Sequence, residues 1–239
     1  MRRPPARIGL VLVCGVLVAG GAVLWTAPGW LIGVLARRYP GCLYQVPAEA
    51  RLVALTIDDG PDPVSTPLIL TELRRHGARA TFFLISGRLR GQESVMRRLV
   101  ADGHEIGNHL TRDRPSIRLS PGEFEADLLQ ADRELARWGP VAWVRPASGW
   151  YSQAMIRVMR QHGYRCALGS VYPFDVTLPS VSLGARFILR NVRPGAIVIL
   201  HDAGARGRRT ARVLARVLPE LRRRGYRVVS LSELVTTGG

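Results

Sequence analysis

The chain contains no lysine. All of its basic side chains are arginine, and the formal net charge over 239 residues is +16. One-sided usage of this kind reflects genome composition rather than arginine-specific chemistry. The resulting positive surface favours anionic partners such as lipid headgroups or acidic wall polymers. No basic-aromatic interleaving and no nucleic-acid-binding module accompany the charge, so no nucleic-acid partner is expected. Cysteine is also scarce. Cys14, Cys42 and Cys166 form no Cys-x-x-Cys zinc pattern and no evident disulfide framework. Cys14 lies in an apolar leader, and Cys166 lies in an expected strand, where it should pack as a small hydrophobe. On that reading the cysteines say nothing of the redox compartment. No Gly-x-Gly-x-x-Gly follows the first strand, which argues against a dinucleotide fold.

What is present is one domain's worth of globular sequence with an appendage, 47% hydrophobic and of mean hydropathy +0.07. Arg2, Arg3 and Arg7 precede an uninterrupted apolar stretch over residues 8–24, followed by Trp25, Trp30, a second apolar patch at 30–36, and Arg37 and Arg38. The stretch is long enough for a short membrane span, and the charge bias keeps the N-terminus cytoplasmic. An uncleaved anchor is expected, a signal peptide cleaved near Val18-Ala19-Gly20 being the alternative. Either way the rest of the chain is exported: a linker at 41–50, then a catalytic domain over 51–236.

From residue 51 one phrase repeats: amphipathic helix, glycine, short apolar strand, polar residues. Strands are expected at 53–57, 81–85, 104–107, 142–144, 166–170, 196–200 and 227–230. Gly77, Gly103, Gly139, Gly163 and Gly225 stand as helix C′ residues. Thr66-Pro67 places proline at a first helical position, and Ser120-Pro121-Gly122-Glu123 has the form of a capping box. Alternating strands and helices imply an α/β fold with a parallel sheet, here a distorted, incomplete (β/α)7-type barrel. Such barrels collect their chemistry at the C-terminal ends of the strands. Just past the expected strands come Asp58 and Asp59, Asn108 and His109, Arg145, Tyr172 and Asp175, then His201 and Asp202.

These residues suffice for metal-assisted acyl transfer. His109 and Asp113 fall four apart, on one face if the stretch makes a helical turn. With one carboxylate of the Asp58–Asp59 pair they make a three-ligand divalent metal site. The other carboxylate is free to take a proton from water, and His201 to protonate a leaving group. Arg206-Gly207-Arg208-Arg209, after the His-Asp pair, reads as a solvated loop.

Four motifs occur in order: Thr56-Ile57-Asp58-Asp59-Gly60-Pro61, Gly103-His104-Glu105-Ile106-Gly107-Asn108-His109, Arg145-Pro146 and Leu200-His201-Asp202. Together they resemble the polysaccharide deacetylases of the NodB-homology type, carbohydrate esterase family 4, from about Arg51 to Leu234. The resemblance implies metal-dependent removal of acetyl groups from N-acetylated sugars of chitin, peptidoglycan or a related polymer. It makes Asp58 the general base, Asp59 and His109 metal ligands, and His201 the general acid. Arg145 would pair with Asp58, and Asp175 would bond His201 and keep it protonated. The amide of Ser148 would donate to the oxyanion. The chain departs from the family pattern where Leu110 and Asp113 replace the hydroxyl residue and second histidine of the metal motif. An Asp59–His109–Asp113 set is expected to shift preference from Zn²⁺ toward Mn²⁺ or Co²⁺. Ser148 replaces the motif tyrosine, leaving Trp150 or Tyr151 to contact sugar. Tyr172 and Val176 stand where Asp and Trp are usual. The expected state is a monomer acting on N-acetylated polysaccharide and held at the membrane by its N-terminus. A sugar-binding module without activity and a deacylase of small molecules or O-acetyl esters are the alternatives.

Overall fold

The computed structural model describes residues 29–238. The expected anchor, with its possible cleavage site and Cys14, lies outside these residues. Among the described residues no helix is long and apolar enough to cross a membrane. The apolar patch at 30–36 forms a short helix, α1 (Gly29–Arg38).

All seven expected strands are present, each followed by a helix. In chain order they are β2 (Leu52–Asp58), α2 (Ser65–Arg75), β3 (Thr81–Leu84), α3 (Glu93–Ala101), β4 (Glu105–Asn108), α4 (Pro121–Leu135), β5 (Val141–Val144), α5 (Gln153–Gln161), β6 (Arg165–Ala167), α6 (Val181–Asn191), β7 (Ile197–His201), α7 (Gly204–Arg223), β8 (Arg227–Val229) and α8 (Leu231–Gly238). A short additional strand, β1 (Cys42–Leu43), precedes them. Its residues fall in the stretch expected to be a linker, yet they pair with β6. The ladders run parallel in the order β1-β6-β5-β4-β3-β2-β7, with β8 beside the start of β2. A parallel bridge from Val171, just past β6, to Val198 of β7 carries the sheet round toward closure. The α/β reading with a parallel, deformed barrel therefore stands.

Parallel strands covered on both faces are apolar throughout, and β2 is buried at every position. Side chains alternate between faces along a strand. Val53, Leu55 and Ile57 pack outward with helix residues such as Ile69, Leu73, Leu214 and Leu218. Leu52 and Ala54 point inward with Phe83, Trp143, Ala167 and Ile197. Continuing the inward row by twos leads from Ala54 to Thr56 and then Asp58, at the mouth of the barrel.

The helix signals are largely realised. Ser120 and Glu123 form the reciprocal capping box on α4, and Gly77, Gly103, Gly163 and Gly225 follow their helices with φ of 60–78°. Two readings are corrected. Helix α2 begins at Ser65 with Val64 as its N-cap, so Pro67 is the third helical residue; its missing N–H is still one of the unpaired donors of a first turn. Helix α4 ends at Leu135 with Ala136 as its C-cap, so Gly139 lies beyond the C′ position.

The third correction concerns cysteine. Cys42 of β1 lies opposite Cys166 of β6, with Cα atoms 4.5 Å apart, and the two form a disulfide. Cys166 is buried as expected but is half of a cross-link spanning 124 residues.

Candidate active site

Four strands deliver their last inward residue to one mouth. The rows are Thr56–Asp58 from β2, Gly107–His109 from β4, Trp143–Arg145 from β5 and Ile199–His201 from β7. Asp58, Asp59, His109, Arg145 and His201 line a single cavity of about 610 Å³.

Asp59, next after Asp58, would point to the opposite face of a regular strand. It takes φ 74° instead, a left-handed conformation that aspartate tolerates better than most residues. That rotation turns both acids toward the cavity. Gly60 follows directly, but the turning residue is Asp59 itself. Gly60 and Gly207 serve close approach: a Cβ on Gly207 would sit 2.2 Å from Ser65 Oγ and 2.6 Å from an Asp202 oxygen.

Arg145 is 2% exposed and fully committed. Its Nη1 donates to Asp58 Oδ1 (2.6 Å) and Thr56 Oγ1 (2.8 Å), Nε to the Ala167 carbonyl (3.0 Å) and Nη2 to the Leu168 carbonyl (2.7 Å). The guanidinium lies 4.2 Å from the centre of the Phe83 ring. A buried guanidinium held this completely gives Asp58 a fixed counter-ion and a fixed orientation.

His109 Nδ1 lies 2.7 Å from the Arg145 carbonyl. A carbonyl only accepts, so Nδ1 carries a proton, and Nε2 faces Asp59 Oδ1 at 3.6 Å. This orientation and spacing suit two donors to one divalent ion, with the second-shell bond that metal-binding histidines use. Asp113 does not complete the set. Leu110 takes φ 67°, its N–H held by Asn108 Oδ1 (2.8 Å), so residues 109–113 make no helical turn and the i,i+4 face is lost. Asp113 lines the cavity rim, half exposed, with Oδ2 3.3 Å from Arg88 Nη2. Among the described residues no three His, Cys, Asp or Glu side chains are grouped to hold a metal. Asp59 has cationic neighbours instead: Arg206 Nη1 lies 3.4 Å from Oδ2, and Arg88 Nη1 donates to its carbonyl at 2.5 Å. Burial opposes ionisation of Asp59, but His109, His201 and Arg206 outweigh it and pull its pKa down to about 2.

On the adjacent strand, where His201 stands beside Asp58 in the ladder, Asp175 grips His201 twice. Both carboxylate oxygens lie 3.0 Å from Nδ1, and Oδ2 accepts the His201 backbone N–H at 3.1 Å. Burial disfavours the imidazolium, yet the Asp175 hydrogen bond and the Asp58 and Asp59 charges raise the pKa above 6.5 overall. With Nδ1 held by Asp175, Nε2 is the free edge of the ring.

The remaining expected residues divide. Ser148 lines the cavity in a left-handed turn (φ 68°), and Trp150 lines it while 69% exposed. Tyr151 is not in the lining: its hydroxyl is bound to the Tyr39 carbonyl (2.5 Å) and to Tyr44 Oη (3.0 Å). Asn108 is structural, its amide bonded to the Leu128 carbonyl. Asp202 lies beneath the site, accepting from Ser65 Oγ (2.6 Å) and Thr66 Oγ1, and burial pushes its pKa up to about 6. Residues 206–209 are the start of α7 rather than a loop, and Arg206 reaches the cavity. Tyr44 lines it too, from a segment carrying no motif.

A family model described as polysaccharide deacetylase matches residues 45–167. A peptidoglycan-N-acetylglucosamine deacetylase of Bacillus cereus is 35% identical over 196 residues, covering 80% of this chain and 92% of that protein. A chitooligosaccharide deacetylase of Bradyrhizobium is 34% identical, over 77% of this chain and 90% of that protein. Among solved structures, a peptidoglycan N-acetylglucosamine deacetylase superposes with a TM-score of 0.79 at 25% identity, covering 84% of this chain and 96% of that one. An acetyl xylan esterase of Clostridium thermocellum in complex with a cobalt ion gives 0.72 at 29% identity, over 78% and 91% of the two chains.

Proposed function

Because the chain belongs to the polysaccharide deacetylase family, we propose that it hydrolyses N-acetyl groups from N-acetylglucosamine-containing glycan, peptidoglycan or chitin-type. The observation that carries this reading is the meeting of two preset dyads at one cavity, Arg145–Asp58 and Asp175–His201, on the neighbouring strand ends of β2 and β7. Asp58, charge-paired and aimed into the cavity, takes a proton from water as that water attacks the acetyl carbonyl. The Ser148 amide lies at the rim as a donor for the oxygen that gains charge. His201, protonated through Asp175, gives its Nε2 proton to the sugar nitrogen as the carbon–nitrogen bond breaks. Acetate and a free amine leave. Trp150, exposed at the rim, offers a face on which a sugar ring can stack.

Asp59 and His109 suit a divalent cation, and a cation held there would supply Lewis-acid polarisation of the acetyl carbonyl. Asp113 supports a second reading, a sugar-binding protein without turnover, because Arg88 engages it away from Asp59 and His109. Acetate release from a panel of N-acetylglucosamine oligomers and peptidoglycan, with and without chelator, separates the two. Chelator-sensitive release is expected. Oligomer binding with no acetate from any substrate would favour the module.

The basic and apolar leader supports export, with the domain outside the cytoplasm and anchored or secreted. The Cys42–Cys166 disulfide supports the same placement, since such bonds persist in oxidising compartments.

A further inference from the structure

Tyr44 lies just outside the segment matched by the family model, yet it lines the cavity with Asp58, His109 and His201. Its backbone continues from β1, which the Cys42–Cys166 disulfide ties to the edge of β6. Counting protons fixes what its hydroxyl offers. The Tyr39 carbonyl only accepts, so the one hydroxyl proton of Tyr151 is used there, at 2.5 Å. The 3.0 Å contact between Tyr151 and Tyr44 therefore carries the proton of Tyr44. What Tyr44 has left for a ligand is oxygen lone pairs. Burial and the Tyr151 contact raise its pKa well above the ordinary phenol value, so the group stays a neutral hydroxyl. The two buried carboxylates of the cavity already face cations, Asp58 paired with Arg145 and Asp59 with His109 and Arg206. A glycan is rich in donors, both hydroxyls and acetamido N–H groups.

We infer that Tyr44 is a substrate-binding residue of this site: it accepts a hydrogen bond from a donor on the bound sugar, held in place by Tyr151 and the Cys42–Cys166 disulfide. The inference rests on the glycan reading above and adds a contact supplied by a segment outside the family's motifs. Tyr44→Phe keeps the ring and removes the acceptor. One neutral hydrogen bond is worth about 0.5–1.5 kcal/mol, so KM for an N-acetylglucosamine tetramer should rise about two- to twelvefold with kcat nearly unchanged. Tyr151→Phe and Cys42→Ser, made in the full chain and checked for an intact melting transition, should raise KM in the same direction. Adding Tyr44→Phe to either should then cost less than it does alone. Unchanged KM in Tyr44→Phe, a fall confined to kcat, or fully additive double variants would overturn the assignment. Calorimetric binding of the tetramer separates this result from failure of the proposed reaction. If wild type binds without releasing acetate, deacetylation fails while Tyr44→Phe should still weaken binding. If wild type does not bind the tetramer, both readings fall. The same titration with the de-N-acetylated tetramer identifies the donor: an equal loss means a hydroxyl, and a loss confined to the acetylated ligand means the acetamido N–H.

Discussion

Replacing Asp175 with asparagine tests whether His201 acts as the proton donor. The carboxylate meets His201 at Nδ1, 3.0 Å from each oxygen, and at the backbone N–H, 3.1 Å away. Burial alone would discharge the ring, but the Asp175 bond and the nearby Asp58 and Asp59 charges reverse that and raise its pKa above 6.5. Asparagine preserves the shape and one acceptor and removes the negative charge. A hydrogen bond to a charged partner contributes about 1.5–3 kcal/mol, which at about 1.36 kcal/mol per pKa unit is a drop of roughly 1–2 units. A general acid must be protonated, so kcat should fall as pH rises through the His201 pKa, and the variant's falling limb should move about 1–2 units toward acid. Stability follows the same sign. The raised pKa contributes stability that is complete below pH 6.5 and lost as pH rises through the folded-state value. Asp175→Asn should therefore flatten the dependence of the melting temperature on pH above neutrality. The assay is acetate release from an N-acetylglucosamine tetramer between pH 5 and 9, with melting curves in the same buffers. A profile scaled down at every pH with its alkaline limb unmoved would refute the charge argument and leave Asp175 a role in placing the ring only.

Asp58→Asn should lower turnover by at least about 100-fold, the usual scale for a lost general base. It should also destabilise the fold by about 3–5 kcal/mol in urea unfolding, because Arg145 is left as a buried cation without its counter-charge; turnover within tenfold of wild type would remove Asp58 as the base. Asp202, raised by burial to about 6, favours its protonated form in the folded state. It should make stability decline as pH climbs from about 4 through 6, by roughly 3 kcal/mol for about two units. Asp202→Asn should abolish that decline in urea midpoints, and an unchanged slope would show that another group titrates. Asp113→His breaks the pair with Arg88 and sets an imidazole at the cavity rim; Co²⁺ titrated calorimetrically should bind at least about tenfold tighter, and equal affinity would put position 113 out of reach of the ion.

What could be read from the sequence is what short-range pattern encodes. Most strands are brief apolar runs after a glycine or turn signal, and those that build the site end in a polar residue or are followed directly by one. The rim residues Asp58, His109, Arg145 and His201 were therefore visible as strand ends before any pairing was known. The partners that complete the site obey no such pattern. Cys42 meets Cys166 across 124 residues only because β1 adds to the free edge of β6. Tyr44 reaches the cavity through the same ladder. Asp113 illustrates the opposite failure, a local pattern overridden locally. The spacing from His109 suits a helical turn, but Asn108 captures the Leu110 N–H and turns the chain left-handed, which hands Asp113 to Arg88.

The same distinction bears on the electrostatics of Asp59. Its two carboxylate oxygens are divided, Oδ1 facing His109 and Oδ2 facing Arg206, while Arg88 holds its carbonyl. Arg88 belongs to the short helical turn after β3 and Arg206 to the first turn of α7, so neither lies near Asp59 in sequence. The carboxylate that fits a divalent ion thus already has a guanidinium on one oxygen. An ion bound by Asp59 and His109 shares that carboxylate with Arg206 or displaces it. Affinity at the site is accordingly a balance between two inward-pointing ligands that the strand pattern announces and two arginines that only the fold brings near.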